Sequence, residues 1–506
     1  MDGPVFSSQT ESSQIAVCGN TLNAEIIKRL PLADAVVHLL GFVCNEEFLE
    51  DFYEEHRGQC YEDTLSFTRL VEILTDALLV HHGSARQALL DAQKKGTLLV
   101  CKEAFYGKLR RLPLDLSAAF MAESSRRLIE LLPASTLEQN NPLPASLRGF
   151  QVRIIDGKKT KHIAKRLKLT RGQAGQLFGS KLLAGYDPVT RLIQSLAAHV
   201  DGEANDAPLV PDLLVQLRAD QEGMLLVADA QFCDLVQISQ YLVEHDHFAL
   251  RYHPKLHFHV DAVNAPREFV DAKGRPLIEE YGWLGSPKDT RRCYVRRITW
   301  KRTDHKDMSV VTDLTNRSPE PKPTEAAAKG IAAEPIPAAD VIDLYLIRWK
   351  IETVFQDVTT VFGLRKLIGS TPEATAFQAA FCMMLYNAIL VVKNYIAAAG
   401  QSKPMPVDGI SNAMLFNSIH RQLTAIAELI PVASLTEMIK PLKTAEDARA
   451  YLSGRLSGLW ENRWRKAVNK NPRVYGAKKK CSGAHTSVHR LLQKHKLAPE
   501  AAEGTG

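Results

Sequence analysis

Over 506 residues the chain has no C-x2-C pair, no regular cysteine spacing and no internal repeat. Its eight cysteines (Cys18, Cys44, Cys60, Cys101, Cys233, Cys293, Cys382, Cys481) are scattered, which argues against a zinc ribbon or a disulfide framework and for reduced, cytosolic thiols. The opening "MDGPVFSSQTESSQ" lacks a charged segment followed by an apolar one, so secretion is not expected. A clean membrane span is missing too. The most apolar run, "FQAAFCMMLYNAILVVKNYIAAAG", is interrupted by Asn387 and Lys393 and reads as a buried helix, so no membrane role is expected. Neither sign of charge dominates: 63 basic against 57 acidic residues leave +6, and the distribution of charge matters more than its sum.

What is present is ordinary in bulk, 45% hydrophobic and 24% charged, and too long for one core; roughly three domains are expected, one of them split in sequence. Residues 1–63 show no readable pattern. Residues 64–140 are helical in period, with "GSARQALLDA" and "FYGKLRRLP", and form a possible DNA-binding domain. The period then changes. "FQVRIID" (150–156) and "RLIQSLAAHV", the latter after a turn placed around Gly185, read as strands; "APLVPDLLVQLRAD" as helix; "MLLVADAQF" as buried strand; "CDLVQISQYLVEHD" as helix; "HFALRYH" as strand. That order predicts an α/β layout around one sheet, its first part spanning 148–260. Residues 261–335 are strand-rich, including "CYVRRITWKRT" and "MSVVTDLTN", and end in a linker with five prolines, "SPEPKPTEAAAKGIAAEPIP". A helical segment over 336–400 follows, then a helical and basic region over 401–506. There Trp460, Trp464 and Tyr475 are interleaved with cations, Lys478, Lys479 and Lys480 among them, as in a footprint for a polyanion; a solubilising tail is the plainer alternative.

The segment "YLIRWKIETVFQDV" (345–358) sets two faces on one helical wheel. At about 100° per residue, Ile347, Ile351, Val354, Phe355 and Val358 share one side, and Tyr345, Arg348 and Glu352 the other. Alone, an Arg and a Glu four apart describe a solvated ion pair. Two further acids change the weighing. Asp156 in "VRIIDG" and Asp229 in "LLVADA" interrupt apolar strands, where an unpaired carboxylate is costly to desolvate unless a metal or a donor compensates. Two aspartates on one sheet plus a helical glutamate have the composition of a site for a hard cation such as Mg²⁺. Asp313 also ends a strand, but its approach to the linker fits a turn; Asp187 and Asp357 lack a buried-strand setting. His253, His257 and His259 have no regular ligand spacing.

In this order the motifs resemble those of bacterial insertion-sequence DDE transposases, specifically the IS-four-like group with a Y-x2-R-x3-E-x6-K signature. Tyr345, Arg348 and Glu352 match its first three positions, and "IIDG" and "LVADAQF" look like its two aspartate motifs. The resemblance covers roughly residues 64 to 400. It implies a ribonuclease-H-like catalytic core with a β-rich insertion, and the catalytic and metal-binding triad Asp156, Asp229 and Glu352. It also implies two Mg²⁺ ions, with Mn²⁺ as second choice. Double-stranded DNA, as terminal inverted repeats and target, would be the partner, cleaved and joined by a homodimer in the bacterial cytoplasm. Tyr345 and Arg348 would bind phosphates, and Trp300 would stack a displaced base unless it is a core residue. One departure stands out: Thr359 occupies the signature lysine position, with Lys350 or Lys366 as substitutes. The alternatives are a catalytically weakened DNA-binding derivative and a related metal-dependent nuclease.

Overall fold

The computed structural model of the protein describes residues 23–60, 65–315, 336–364, 368–398, 406–430, 441–467 and 485–503, apart from residues 97, 99, 135, 136, 138–140, 162, 166, 174, 220–222, 244, 245 and 304. The linker over 316–335, Lys366 and the cations Lys470, Arg473 and Lys478 to Lys480 lie outside the described residues.

The N-terminal region is a helical unit: α1 (Pro31–Val43), α2 (Glu46–His56), α3 (Phe67–Leu79), α4 (Ala85–Lys94), α5 (Lys102–Arg111) and α6 (Leu114–Ile129). Side chains set several of its helix starts. Asn45 accepts from the Phe48 amide, Ser66 from Arg69 and Ser84 from Gln87, each satisfying a first-turn donor that has no intrahelical partner. Two of these helices, α1 and α2, lie in the stretch whose sequence shows no readable pattern. Phe52, Phe67 and Phe120 cluster with Phe377 from far along the chain, which ties this unit to the core.

The core is a mixed sheet. Its strands are β1 (Gln151–Lys161), β2 (Leu177–Tyr186), β3 (Ile193–His199), β4 (Met224–Ala228) and β5 (His247–Arg251), with α7 (Val210–Arg218) between β3 and β4 and α8 (Leu235–Leu242) between β4 and β5. Strands β1, β2 and β3 pair antiparallel, while β4 and β5 run parallel to β1, in the spatial order 3-2-1-4-5. This is the ribonuclease-H-like α/β arrangement expected from the sequence. The strand-rich stretch continues the same sheet: β6 (Phe258–Val260), β7 (Arg267–Val270), β8 (Pro276–Leu284) and β9 (Cys293–Trp300) reach β5 through β10 (Met308–Thr312).

Gly185 is not in a turn. It pairs with Ile155 on one side and Ser195 on the other, inside a strand buried along its whole length. A side chain there would come within 2.3 Å of the Ser195 hydroxyl oxygen, so the glycine serves close strand packing rather than reversal of the chain.

After the linker come α9 (Ala338–Ile347), α10 (Trp349–Thr360) and α11 (Pro372–Ala398), followed by α12 (Asn412–Leu429) and α13 (Ala445–Leu456). Helix α11 is long and apolar enough to cross a membrane, but lies buried inside the protein. Its two polar interruptions are satisfied there: Asn387 accepts from the Ile193 amide at 3.1 Å and donates to the Ile193 carbonyl at 2.7 Å, and Lys393 donates to Asn412 at 2.8 Å.

Candidate active site

Parallel pairing brings the two aspartates level, although β1 does not end at Asp156, as the sequence suggests, but runs on to Lys161 with Asp156 paired to Ala184 of β2. Val152 faces Leu225 and Ile154 faces Val227; two residues further along each strand stand Asp156 and Asp229. The next strand continues the row, because Ala228 pairs with Leu250 and is followed by Asp229 beside Arg251. The carboxyl ends of parallel strands, where backbone groups open toward the helices above, are the usual place for a site in such sheets.

The third acid arrives on a broken helix. A continuous wheel from Tyr345 to Val358 is not what forms: α9 ends at Ile347, α10 starts at Trp349, and the junction closes through tighter bonds from the Arg348 amide to the Tyr345 carbonyl and from the Ile351 amide to the Arg348 carbonyl. Ile351, Val354, Phe355 and Val358 are buried as the apolar stripe requires, which turns Glu352 to the open side. Tyr345 and Arg348 are not a solvated face, at 1% and 4% exposure. They point inward at the acids. The Tyr345 hydroxyl donates to Asp229 Oδ1 at 3.2 Å; Arg348 Nη2 donates to Glu352 Oε1 at 2.8 Å; Arg348 Nη1 stands 3.7 Å from Asp156 Oδ2. One buried guanidinium thus gathers acids from β1 and α10, beside the tyrosine that holds the acid of β4. Its Nε is buried with no acceptor among the described residues.

The electrostatics follow from that crowding. Burial pushes the Asp156 carboxyl up to about 6; Arg348 and the Gly157 amide at 2.9 Å work against this, while Glu352 and Asp206 add to it. Arg348 is raised despite its burial, because Tyr345, Asp229, Asp156 and Glu352 together outweigh desolvation. Burial raises the Tyr345 phenol, so it remains a donor to Asp229.

Several neighbours escaped the sequence reading. Asp206, buried and paired with Lys181, packs so tightly on Gly157 that a Cβ there would lie 2.2 Å from Asp206 Oδ1. The Lys158 amine sits 5.4 Å from the centre of the Phe355 ring and is lowered by burial, which accounts for a lysine just after the first aspartate. Arg251 stands at the sheet end near Tyr345, where it helps to hold the phenol's pKa down. Trp349, 55% exposed beside Arg348, is the large apolar side chain open to solvent at the helix break.

Other expected residues lie elsewhere. Trp300 is half-buried against the core in the extended sheet, with Arg275 and Arg302 at 5.6 and 5.7 Å from its ring. Asp313 locks a strand end, accepting from the Phe248 amide and pairing with His247, both at 2.8 Å. Asp187 is buried at the end of β2 and paired with Arg153 at 3.3 Å, a setting its sequence did not disclose. Thr359 is half-buried, its hydroxyl donating to the Phe355 carbonyl at 2.6 Å, and Lys350 pairs with Asp408 at 2.8 Å. In the C-terminal region Trp464 is a core residue donating to Ser418, Arg455 pairs with Asp34, and Arg490 pairs with Asp201 and Glu203. Those side chains hold the fold.

Among the described residues, no three His, Cys, Asp or Glu side chains stand close enough together to hold a metal ion in this arrangement. The chemistry of the acids by Arg348 still fits a hard cation: all their donors are oxygen, Asp156 is under-compensated as an anion, and Glu352 opens to solvent.

Residues 148–388 match the family described as "Transposase DDE domain". Among solved structures, a cryo-EM structure of the piggyBac transposase synaptic complex with hairpin DNA is similar at 12% identity and a TM-score of 0.35, covering 83% of this chain and 85% of that one. No curated protein matches the sequence.

Proposed function

With a transposase DDE domain at residues 148–388, this chain is a DDE transposase, and we propose that Asp156, Asp229 and Glu352 are its catalytic acids and hold its divalent metal ions. The observation that supports this reading is the convergence of those acids, from two neighbouring parallel strands and a helix, around Arg348 and Tyr345. The oxygen-only donor set suits Mg²⁺, with Mn²⁺ as second choice, and two ions match the chemistry of phosphodiester exchange. Bound there, such ions activate the attacking oxygen and stabilise the leaving one.

The surrounding residues have separable tasks. The Gly157 amide and the Tyr345 hydroxyl fix one oxygen each of Asp156 and Asp229, and Arg348 stands by the second oxygen of Asp156. Arg348 balances the acids while they are not balanced by cations. Arg251 at the rim supplies a second cation for the DNA backbone. Trp349 offers an exposed face for stacking beside the acids, and Trp300 a half-covered one further along the sheet. Lys478, Lys479 and Lys480 would add phosphate contacts that do not read bases.

In the reaction, water attacks the phosphodiester at a transposon end and frees a 3′ hydroxyl; that hydroxyl then attacks a target phosphodiester and displaces another 3′ oxygen. Terminal inverted repeats and target DNA are the double-stranded partners, and two protomers hold paired ends. The test is cleavage and strand transfer on the inverted repeats that flank the coding region, with Mg²⁺ and with chelator. Asp156→Asn, Asp229→Asn and Glu352→Gln should each abolish both steps while end binding survives. Cleavage without joining would make the protein a nuclease, and activity surviving in all three variants would remove these acids from the mechanism.

A further inference from the structure

Lined by none of the acids beside Arg348, a cleft of about 550 Å³ separates the α3–α4 connection from α12. His82 and His420, separated by 338 positions, meet there with their Nε2 atoms 2.9 Å apart and ring centres at 3.9 Å. His420 Nδ1 lies 2.5 Å from the Leu79 carbonyl. A carbonyl only accepts, so Nδ1 carries the proton and the lone pair of the neutral ring is on Nε2, aimed at His82. A backbone carbonyl fixing the far nitrogen in this way is the usual support of a metal-bound histidine.

The rest of the cleft agrees with a cation. Asp76, Asp91 and Glu428 line it, against Lys95 as the opposing cation and His81, which pairs with Asp91 at 3.2 Å. His82 sits at φ 51, a left-handed conformation that non-glycine residues adopt rarely, and this conformation carries its ring to α12. Two imidazole nitrogens 2.9 Å apart, each about 2.0–2.1 Å from a shared ion, subtend roughly 90° there. That is the cis angle of square-planar or six-coordinate geometry; a tetrahedral ion would need the nitrogens about 3.3 Å apart.

We propose that His82 and His420 form a binding site for a first-row transition dication of the imidazole-preferring class, cross-linking the N-terminal helical unit to α12. Among the described residues no third side chain completes the set, so water fills the remaining positions and the cleft carboxylates supply the negative field. The site is chemically distinct from the acids beside Arg348, which present oxygen alone.

Cu²⁺ electron paramagnetic resonance separates the two. One equivalent of Cu²⁺ is added to full-length, chelator-cleared protein in excess Mg²⁺, so that oxygen sites are occupied. The expected spectrum shows two equatorial nitrogens, disappears in His82→Asn and in His420→Gln, persists in His257→Gln, and is displaced by Ni²⁺ with a rise in melting temperature. His82 is exposed and Asn tolerates the left-handed backbone, so that variant keeps the fold. A wild-type spectrum without two nitrogens, or one that survives both substitutions, overturns the proposal. So does its loss in His257→Gln, which would move the site to the extended sheet.

Discussion

Replacing Asp156 with Asn should make the metal-free protein more stable, by an amount that depends on pH in a defined sense. Burial is the main reason the Asp156 carboxyl rises from 3.8 to about 6, with Arg348 only partly offsetting it. A group whose pKa is raised on folding binds its proton more tightly in the fold. Its favourable contribution is fully present below the unfolded value and is lost as pH rises through the folded one. The window is therefore about pH 4 to 6, and the gap of roughly two units corresponds to about 3 kcal/mol of strain in the wild-type protein at neutral pH. Asparagine keeps the shape without the charge, while Arg348 retains Glu352 at 2.8 Å. Urea unfolding in EDTA at pH 4 and pH 8 measures this directly. The variant should equal wild type at the lower pH and exceed it by up to about 3 kcal/mol at the higher. With Mg²⁺ the order should reverse or narrow, because only the wild type gains from binding, about 2.7 kcal/mol at a hundredfold excess over Kd. A variant less stable than wild type at pH 8 without metal, or a difference that ignores pH, would refute the reasoning.

Gly157→Ala should lower the melting temperature by several degrees, since its Cβ would meet Asp206 Oδ1 at 2.2 Å; an unchanged melting curve would show that Asp206 and Lys181 yield freely. Arg251→Ala should weaken binding to DNA of any sequence and reduce the slope of log affinity against log salt by about 1, read by fluorescence anisotropy. Thr359→Lys should raise affinity for the cleaved end, with a gain that shrinks as salt is added; loss of folding would mean that the half-buried site by the Phe355 carbonyl cannot release a lysine to solvent.

The acids were legible because each breaks a physical rule: a carboxylate interrupting a buried apolar run asks for compensation, and Asp156 and Asp229 do so twice on one sheet, although β1 runs on past Asp156 to Lys161. The apolar stripe of α10 was equally plain. The break at Arg348 was not, because no proline or glycine marks it, and the burial of Tyr345 and Arg348 follows from that break. Strand β2 is buried along its whole length, so it has no alternation to read, and Gly185 signals a turn where it serves packing. Arg251 enters the site only through strand order, and Trp464 looks like part of a basic tail until its partner Ser418 is known. His82 and His420 lie too far apart in sequence for any local pattern to join them.

Whether three separate segments line one metal site is the central question, and iron-directed backbone cleavage answers it without relying on turnover. Fe²⁺ substituted for Mg²⁺ in the DNA-bound protein, with ascorbate and peroxide, cuts the peptide chain beside the bound ion. The expected fragments end near Asp156, Asp229 and Glu352 together, fade with excess Mg²⁺, and vanish as a set in Asp156→Asn. Cuts confined to one of the three segments, or centred on Asp313 and His247, would contradict the shared site.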